Sequence, residues 1–189
     1  MNRQENSRYR MIKTSEGQFA FVAGGDSLLA TFLPASQEKN MSLILERFPG
    51  AKEDARLLPA LARAVADYYA GRAARFDVPI DFGDPGSFHR AVYEQCRRIP
   101  CGATASYRDL ARAAGNERAV RAVGNAMAKN RWPLVVPCHR VLRADGSIGG
   151  FSSPEGVEQK RRMLRREGVE LRNGKVFVVA RSRAKSAVA

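Results

Sequence analysis

Residues 106–129 carry the pattern that most constrains this fold. Ser106 and Asp109 have the spacing of a capping box, in which the serine hydroxyl and the acidic group satisfy the free N–H groups at a helix start. Gly115-Asn116 favours a tight turn, and a second helix is predicted over residues 117–129. Two short helices joined by such a turn are typical of a helix-turn-helix, whose second helix enters a DNA groove.

The second predicted helix has one apolar and one polar face. The apolar stripe consists of Val120, Val123 and Met127. The polar stripe consists of Arg118, Arg121 and Asn125, and the small residues between the stripes are Ala119, Ala122 and Ala126. Because alanine lets a helix backbone come close to a partner, this pattern favours a recognition helix. An ordinary helical hairpin with a charged outer face is the alternative.

Basic residues are unevenly distributed along the chain. The 189 residues include 32 Lys and Arg against 19 Asp and Glu, a net charge of +13. Residues 1–86 are neutral, so the whole excess lies in residues 87–189. A basic region of this kind is typical of proteins that bind a polyanion, and nucleic acid is the usual one. A basic surface that only maintains solubility is the alternative.

A run of turn-forming residues lies where the charge changes. Residues 81–86 read Asp-Phe-Gly-Asp-Pro-Gly, which favours a loop over a helix or strand. We therefore predict an α/β domain with a small sheet plus helices over residues 1–86. A mostly α-helical domain that contains the helix-turn-helix follows over residues 87–180, and a polar tail over residues 181–189.

The N-terminal domain is predicted to contain one hairpin and two helices. Residues 18–33 hold two apolar runs broken at Gly24-Gly25-Asp26, the pattern of a β-hairpin. Helices are predicted over residues 41–48 and 57–70. Residues 76–80 are predicted to form an edge strand, because their proline cannot donate to a ladder.

A cysteine follows a short apolar segment after the second helix. Leu134–Val136 is predicted to be a short buried strand or extended segment that Pro137 ends, which places Cys138 at a fixed turn. A rigidly held nucleophile is presented in this way, and His139 beside it is a candidate base. A buried structural cysteine is the alternative, because apolar surroundings raise the pKa of a thiol and make it unreactive.

Glu167 occupies an unusual place for an acidic residue. A helix is predicted from Pro154, with Ser153 as its cap, to about Glu167. An anion is unfavourable at a helix C-terminus. Either the arginines of this helix neutralise the carboxylate, or Glu167 is present because it orients a base. In the second case its replacement is expected to leave the fold intact or slightly more stable.

In these segments the chain resembles the O6-alkylguanine-DNA alkyltransferases, also called methylated-DNA–protein-cysteine methyltransferases. The resemblance runs from about Phe88 to Glu167, while the N-terminal part is similar only in its layout. The matching segments are Ile99-Pro100-Cys101-Gly102, Ser106-Tyr107, Arg121-Ala122-Val123-Gly124-Asn125-Ala126-Met127, Asn130, Pro137-Cys138-His139-Arg140-Val141, Asp145-Gly146-Ser147 and Gly149-Gly150-Phe151-Ser152.

This resemblance implies a DNA repair enzyme that transfers a methyl or other alkyl group from O6 of guanine to Cys138. The reaction would be irreversible and would occur once per molecule. His139 would act as the base through a water, held by Glu167. Asn130 would brace the turn before the cysteine, and Tyr107 would donate a proton or hydrogen bond to the departing guanine.

The resemblance also implies contacts with the damaged DNA. The residues implied to contact the flipped base or line its pocket are Val141, Ser152, Met127, Pro133 and Phe151. The residues implied to contact DNA are Arg121, Ser106, Ala119, Asn125 and Arg118, with Arg121 filling the gap left in the duplex. The expected partner is double-stranded DNA containing O6-alkylguanine. The protein is expected to be a monomer, with cooperative binding on DNA left open.

Two positions depart from the family pattern. Phe151 stands where the family often has tyrosine, so a hydroxyl contact is lost. Glu167 is matched across a loop after Ser153 that is longer than in some members. Some members bind zinc in the N-terminal domain, but residues 1–87 contain neither cysteine nor histidine. We therefore expect no metal and no cofactor, and we interpret Cys96 and Cys101 as structural.

Other functional classes fit less of the sequence. A non-catalytic protein that binds alkylation damage would lack an acceptor cysteine, whereas Cys138 is present. A helix-turn-helix DNA-binding regulator would not need a cysteine, a histidine and a glutamate. A cysteine hydrolase would need an oxyanion hole, for which the sequence has no pattern. The chain has no apolar run of about 18 residues and no secretory signal, so no membrane partner and a cytoplasmic location are expected.

Overall fold

The first half of the fold is a four-stranded sheet with two helices. A computed structural model describes residues 6–153, 155–172 and 175–176; the predicted tail over residues 181–189 and Pro154 lie outside them. Strands β1 (Ser7–Thr14), β2 (Gly17–Gly24) and β3 (Ser27–Ala35) are consecutive antiparallel neighbours. Helix α1 spans Gln37–Arg47, strand β4 spans Lys52–Glu53 and helix α2 spans Pro59–Tyr69. Strand β4 pairs in parallel with β1, which gives the order β3-β2-β1-β4.

The sequence predicted the hairpin correctly but missed β1. Strands β2 and β3 meet at the predicted turn, where Gly25 has a φ of 59°, in the left-handed region that glycine tolerates. The sequence of β1 is SRYRMIKT. Its three basic residues did not indicate a strand, although β1 buries the side chains of Ser7 and Tyr9. β1 is half exposed and pairs along its whole length only with β2. It therefore lacks the apolar run on which the strand prediction relied.

Two other N-terminal predictions need correction. Helix α1 begins four residues before the predicted start at Met41, because the Ser36 side chain accepts a hydrogen bond from the Lys39 N–H and caps the helix. Residues 76–80 do not form an edge strand. They contact the sheet through one isolated parallel bridge, between Ile80 and Leu28 of β3, which is too short to form a strand.

Helices dominate the second half of the described chain. Its first elements are helix α3 (Ser87–Arg97), strand β5 (Ala105–Ser106), helix α4 (Tyr107–Ala113) and helix α5 (Val120–Ala128). A 3₁₀ turn follows at Cys138–Arg140, then strand β6 (Val141–Leu142), helix α6 (Gly156–Arg166), and strands β7 (Leu171–Arg172) and β8 (Lys175–Val176). Strand β6 pairs in parallel with β5, and β7 pairs antiparallel with β8.

Helices α4 and α5 agree with the local sequence pattern. The predicted capping box is present: the Ser106 hydroxyl accepts from the Asp109 N–H at 3.0 Å, and the Asp109 carboxylate accepts from the Ser106 N–H at 3.0 Å. Helix α5 begins three residues after the predicted start, because residues 117–119 belong to the preceding turn.

One hydrophobic core extends through both halves. Its buried side chains come from the sheet, from α2 and from the helices after residue 86; examples are Phe21, Val65, Val92, Val123 and Trp132. The predicted small sheet with helices is confirmed, and the division into domains at residue 86 stays a prediction. Among the described residues, no helix is both long and apolar enough to cross a membrane.

Candidate active site

The segment that leads to Cys138 is a tight turn, not the strand that the sequence predicted. The Val136 N–H donates to the Trp132 carbonyl at 2.8 Å, and Leu134 has a φ of 78°, in the left-handed region. This reversal at Leu134 prevents an extended conformation, although Leu134–Val136 is buried as expected. Cys138 then opens the 3₁₀ turn, with its side chain buried in the protein except for a small exposed fraction.

Asn130 holds this turn together. Its Nδ2 donates to the Val136 carbonyl at 2.9 Å, and its Oδ1 accepts from the Trp132 N–H at 3.0 Å. Burial raises the pKa of the Cys138 thiol, but a hydrogen bond from the Asn130 side chain and the positive charge of Lys160 act against that rise. Asn130 therefore occupies the bracing position that the resemblance implies.

His139 and Glu167 form a fully buried pair. The His139 Nε2 lies 2.7 Å from Glu167 Oε1, and neither side chain is exposed. A carboxylate only accepts hydrogen bonds, so Nε2 carries the proton and Nδ1 carries the lone pair. Among the described residues, the buried Nδ1 has no hydrogen-bond partner. Burial lowers the pKa of His139 although Glu167 acts to raise it, so the ring is poised as a neutral base.

Glu167 also binds residues that sequence reasoning did not assign to the site. Arg140 contacts both carboxylate oxygens, through Nε at 2.8 Å and Nη2 at 2.9 Å, and the Tyr68 hydroxyl donates at 3.1 Å. Burial by itself raises the pKa of Glu167, but His139 and Arg140 outweigh it and hold that pKa at about 2. In the sequence, Arg140 stood out only as part of the cysteine motif. Nothing in the sequence near Tyr68 indicated that it contacts the active site.

A backbone contact completes this arrangement. The Gly102 N–H lies 3.4 Å from Glu167 Oε2. Gly102 has a φ of 78°, and a Cβ atom there would lie 3.0 Å from the Glu167 carbonyl oxygen. Only glycine allows this loop to approach the end of α6 so closely.

An open cavity of about 220 Å³ adjoins the thiol. Its lining includes four of the predicted site residues together with Cys138: Tyr107, Met127, Phe151 and Ser152. Burial and the nearby Cys138 raise the pKa of Tyr107, so its hydroxyl keeps its proton. Val141 and Pro133, predicted to contact the same ligand, are not among the lining residues. Val141 is buried behind the turn, and the Pro133 carbonyl accepts a hydrogen bond from Thr31 at 2.7 Å.

The polar stripe predicted for the second helix faces outward, with Arg118 in the turn before α5 and Arg121 and Asn125 on the helix. Arg118, Arg121 and Asn125 are exposed, and Ser106 and Ala119 are partly exposed. Within the described part of the chain, no acidic side chain lies at ion-pair distance from Arg118 or Arg121. The five residues implied to contact DNA are therefore accessible, which agrees with their implied role without testing it.

No group of three or more His, Cys, Asp and Glu residues among the described positions is arranged to hold a metal ion. The expected absence of a metal and a cofactor stays a prediction.

Comparisons of this chain with known proteins agree with one another. Residues 87–169 match the family model described as 6-O-methylguanine DNA methyltransferase, DNA binding domain. The chain is 33% identical to the bifunctional transcriptional activator/DNA repair enzyme Ada of Escherichia coli K12, over 86% of this chain and 52% of that protein. It is 36% identical to the methylated-DNA–protein-cysteine methyltransferase of Methanosarcina acetivorans, over 57% of this chain and 67% of that protein.

A solved structure has the same fold. The crystal structure of Mycobacterium tuberculosis OGT in complex with DNA superposes with a TM-score of 0.70 at 28% identity, covering 85% of this chain and 92% of that one. The chain spans about half the length of the Escherichia coli relative and two thirds of the Methanosarcina relative.

Proposed function

Because the chain belongs to the methylated-DNA–protein-cysteine methyltransferase family, we propose that it repairs DNA by taking an alkyl group from O6 of guanine onto Cys138. One observation carries the proposal: the Cys138 thiol lines an open cavity while the neighbouring His139 is held at 2.7 Å by a buried carboxylate. A structural cysteine would need neither the cavity nor the oriented base.

The proposed reaction uses Cys138 and Tyr107, which line the cavity, and His139, which lies buried beside the cysteine in the chain. The Cys138 thiol loses its proton to His139 Nδ1, through a water. The thiolate then attacks the alkyl carbon in line, so that a sulfur–carbon bond forms as the carbon–oxygen bond breaks. The electron pair of the broken bond leaves with guanine, to which the Tyr107 hydroxyl supplies a proton or a hydrogen bond. The product is a thioether that no residue of the site hydrolyses, so each molecule reacts once.

Glu167 favours proton transfer to His139. The carboxylate remains ionised above a pH of about 2, and its charge stabilises the imidazolium that forms when Nδ1 accepts the proton. Arg140 shares the same carboxylate and reduces this effect, while it keeps the carboxylate in place. The two roles of Arg140 explain how a buried carboxylate stays both charged and fixed.

Helices α4 and α5 are proposed to bind the duplex as a helix-turn-helix within a separate C-terminal domain. The exposed stripe of α5 lies in the groove, and Arg121 enters the space that the damaged nucleotide leaves when it turns out of the stack. Met127 and Phe151 supply apolar contacts to that base, and Ser152 contacts it through its hydroxyl group. The contacts implied for Pro133 and Val141, which do not line the cavity, stay predictions. The partner is double-stranded DNA containing O6-alkylguanine, bound by a monomer. Cooperative binding on DNA and a cytoplasmic location stay predictions.

Intact-protein mass spectrometry after mixing with O6-methylguanine DNA tests this function. The wild-type chain should gain one methylene per molecule, and peptide mapping should place the gain on Cys138. Cys138→Ala should gain nothing yet still bind DNA, whereas the matched control Cys101→Ala should gain the same mass as wild type, because Cys101 is exposed away from the cavity. An unmodified wild-type chain, or a methyl group on Cys96 or Cys101, would overturn the proposal.

A further inference from the structure

A buried tyrosine of the N-terminal half shares an acceptor atom with the candidate base. Tyr68 lies near the end of α2, and its hydroxyl donates to Glu167 Oε1 at 3.1 Å. His139 Nε2 donates to the same oxygen at 2.7 Å. A buried tyrosine hydroxyl needs a hydrogen-bond partner, and any acceptor would meet that need. Here the acceptor is the oxygen that holds His139, so each of the two hydrogen bonds affects the strength of the other.

The Tyr68 hydroxyl is the donor in this contact. Burial and the negative charge of Glu167 raise the pKa of Tyr68, so its hydroxyl keeps its proton. The pKa of Glu167 is about 2, so its carboxylate is ionised and only accepts hydrogen bonds. Tyr68 therefore presents a neutral donor to a charged acceptor and disperses part of the negative charge on Oε1.

Ring contacts restrict the orientation of Tyr68. The Tyr69 ring meets the Tyr68 ring edge-on, with centroids 5.1 Å apart and an interplanar angle of 83°. The Phe76 ring centroid lies 6.0 Å away, and the Arg166 guanidinium lies 5.9 Å from the Tyr68 ring centroid. Because the ring is enclosed by these three side chains, its hydroxyl is held towards Glu167.

A second set of contacts ties α2 to the end of α6. Arg166, the residue before Glu167, donates from Nη1 to the Tyr69 carbonyl at 2.7 Å. Its Nη2 pairs with Glu16, in the turn between β1 and β2. Two consecutive residues at the end of α6 therefore contact two consecutive residues of α2. This arrangement keeps the Tyr68 hydroxyl within reach of the carboxylate.

Several charged and titratable groups act on His139 or on its carboxylate partner. They are Arg140 in the 3₁₀ turn, Lys160 in α6, Glu167 at the end of α6, Cys101 in the loop before β5 and Tyr68 in α2. Burial lowers the pKa of His139, the charge of Glu167 raises it, and the charges of Arg140 and Lys160 lower it. A donor that disperses the charge of Glu167 therefore favours the neutral form of His139.

We propose that Tyr68 is a positioning residue for alkyl transfer: its hydroxyl orients the Glu167 carboxylate and limits the stabilisation of protonated His139 by that carboxylate. His139 then stays neutral until the proton of Cys138 arrives. This inference rests on the proposed function for its purpose but not for its measurement. Through Tyr68, the N-terminal half of the chain sets the strength of a base in the other half.

The test follows the titration of His139 without DNA. The chain contains two histidines, so its histidine ring NMR signals are few, and His89→Gln identifies the signal of His139. Tyr68→Phe removes the hydroxyl and keeps the ring. We expect the titration midpoint of His139 to rise by about 0.5 to 1 pH unit, the effect of losing one neutral hydrogen bond to the carboxylate. In Glu167→Gln the midpoint should fall instead, because the charge that stabilises imidazolium is lost.

Tyr69→Phe is the matched control. Tyr69 is the next residue of α2 and is equally buried, but in the part of the chain that the structure describes its hydroxyl does not bond Glu167. Its removal should leave the His139 midpoint unchanged. A His139 midpoint in Tyr68→Phe equal to that of wild type would overturn the role of Tyr68. An equal rise in Tyr69→Phe would also overturn it, because the loss of any buried hydroxyl would then have the same effect.

A second measurement applies even where Tyr68→Phe fails to fold. The wild-type chain is produced with tyrosine fluorinated beside its hydroxyl, which makes the hydroxyl more acidic and a stronger hydrogen-bond donor. The His139 midpoint should then fall, and an unchanged or higher midpoint would contradict the proposal. Failure of the wild-type chain to accept methyl from DNA would instead overturn the proposed function alone, since neither measurement uses DNA.

Discussion

Glu167 is the residue whose surroundings differ most from the sequence expectation. The sequence suggested an anion at a helix end, either neutralised by the arginines of its own helix or present because it orients a base. In the structure, α6 ends at Arg166, and the Glu167 carboxylate receives hydrogen bonds from His139, Arg140, Tyr68 and Gly102. All four partners lie outside α6. These contacts favour a different prediction from the sequence: replacing Glu167 should destabilise the fold, because it would leave the buried Arg140 without its charged partner.

Glu167→Gln should slow methyl transfer at neutral pH by roughly 10- to 100-fold, because the charge that stabilises imidazolium is lost. The final stoichiometry should still reach one methyl group per chain, since Cys138 remains. The measurement is the single-turnover rate of methyl transfer as a function of pH. In Glu167→Gln, the pH at which this rate rises should be higher than in wild type. Glu158→Gln is the matched control, because Glu158 is an exposed acid on the same helix. Superimposed profiles for wild type and Glu167→Gln would show that His139 does not depend on this carboxylate.

The same substitution should change the response of stability to acid. The pKa of Glu167 is held at about 2 in the folded protein, below the ordinary 4.5. A lowered pKa stabilises the fold above the unfolded value, and this contribution is lost as the pH falls from about 4.5 towards 2. Denaturant unfolding should give wild type an advantage of about 3 kcal/mol over Glu167→Gln at pH 6. The advantage should shrink steadily below pH 4.5; a difference that is constant from pH 6 to pH 3 would contradict the assignment.

At the scale of elements, the sequence was reliable where local interactions decide the structure. Helix α4 was predicted because its capping box involves residues three apart, and α5 because Val123 and Met127 repeat at helical spacing. The turn at Leu134 was not predicted, since it depends on Asn130 bonding both of its ends and on contacts from the distant sheet. The burial of Lys160 was not predicted for a related reason: one residue of a basic run gives no local sign of being buried.

Arg121→Ala should reduce methyl transfer from duplex DNA more than transfer from the free base O6-methylguanine. Arg121 is exposed on α5 and is not among the residues that line the cavity, and its proposed task exists only in a duplex. The ratio of the two single-turnover rates is the measurement, and we expect the duplex rate to fall at least about tenfold while the free-base rate changes little. Arg161→Ala, on α6, should leave both rates unchanged. Equal losses on the two substrates would mean that Arg121 supports the cavity instead.

At the scale of the whole molecule, the N-terminal sheet supports the segment that carries the nucleophile. On β3, the Thr31 N–H donates to the Arg131 carbonyl at 2.9 Å, and its hydroxyl donates to the Pro133 carbonyl at 2.7 Å. From α2, Tyr68 reaches Glu167. These contacts join residues about 100 positions apart in the chain, which is why sequence patterns gave no sign of them. A role for the first 86 residues in holding the site therefore follows from packing.

The charge asymmetry predicts how the whole chain binds DNA. Residues 87–189 hold the entire net charge of +13. On or beside the α4–α5 pair, the exposed Arg112 pairs with Asp109 and Glu117, whereas four other exposed basic residues form no ion pair with the described residues: Arg108, Arg118, Arg121 and Lys129. If each neutralises one phosphate, the logarithm of the binding constant should fall with the logarithm of salt with a slope of about −3.6. Raising the salt from about 50 to 200 mM would then weaken binding roughly 100-fold.

Arg118→Ala tests this count. Its removal should reduce the steepness of the salt dependence by about one unit for undamaged duplexes of any sequence, because one counterion fewer is released. The measurement uses the full chain, since the core shared across residue 86 means that neither half is a valid substitute. Lys52→Ala is the control, because Lys52 is an exposed lysine on β4, in the neutral part of the chain, and its slope should equal that of wild type. If Lys52→Ala changed the slope and Arg118→Ala did not, the DNA would lie against the sheet, and the α5 face would have to be abandoned as the binding surface.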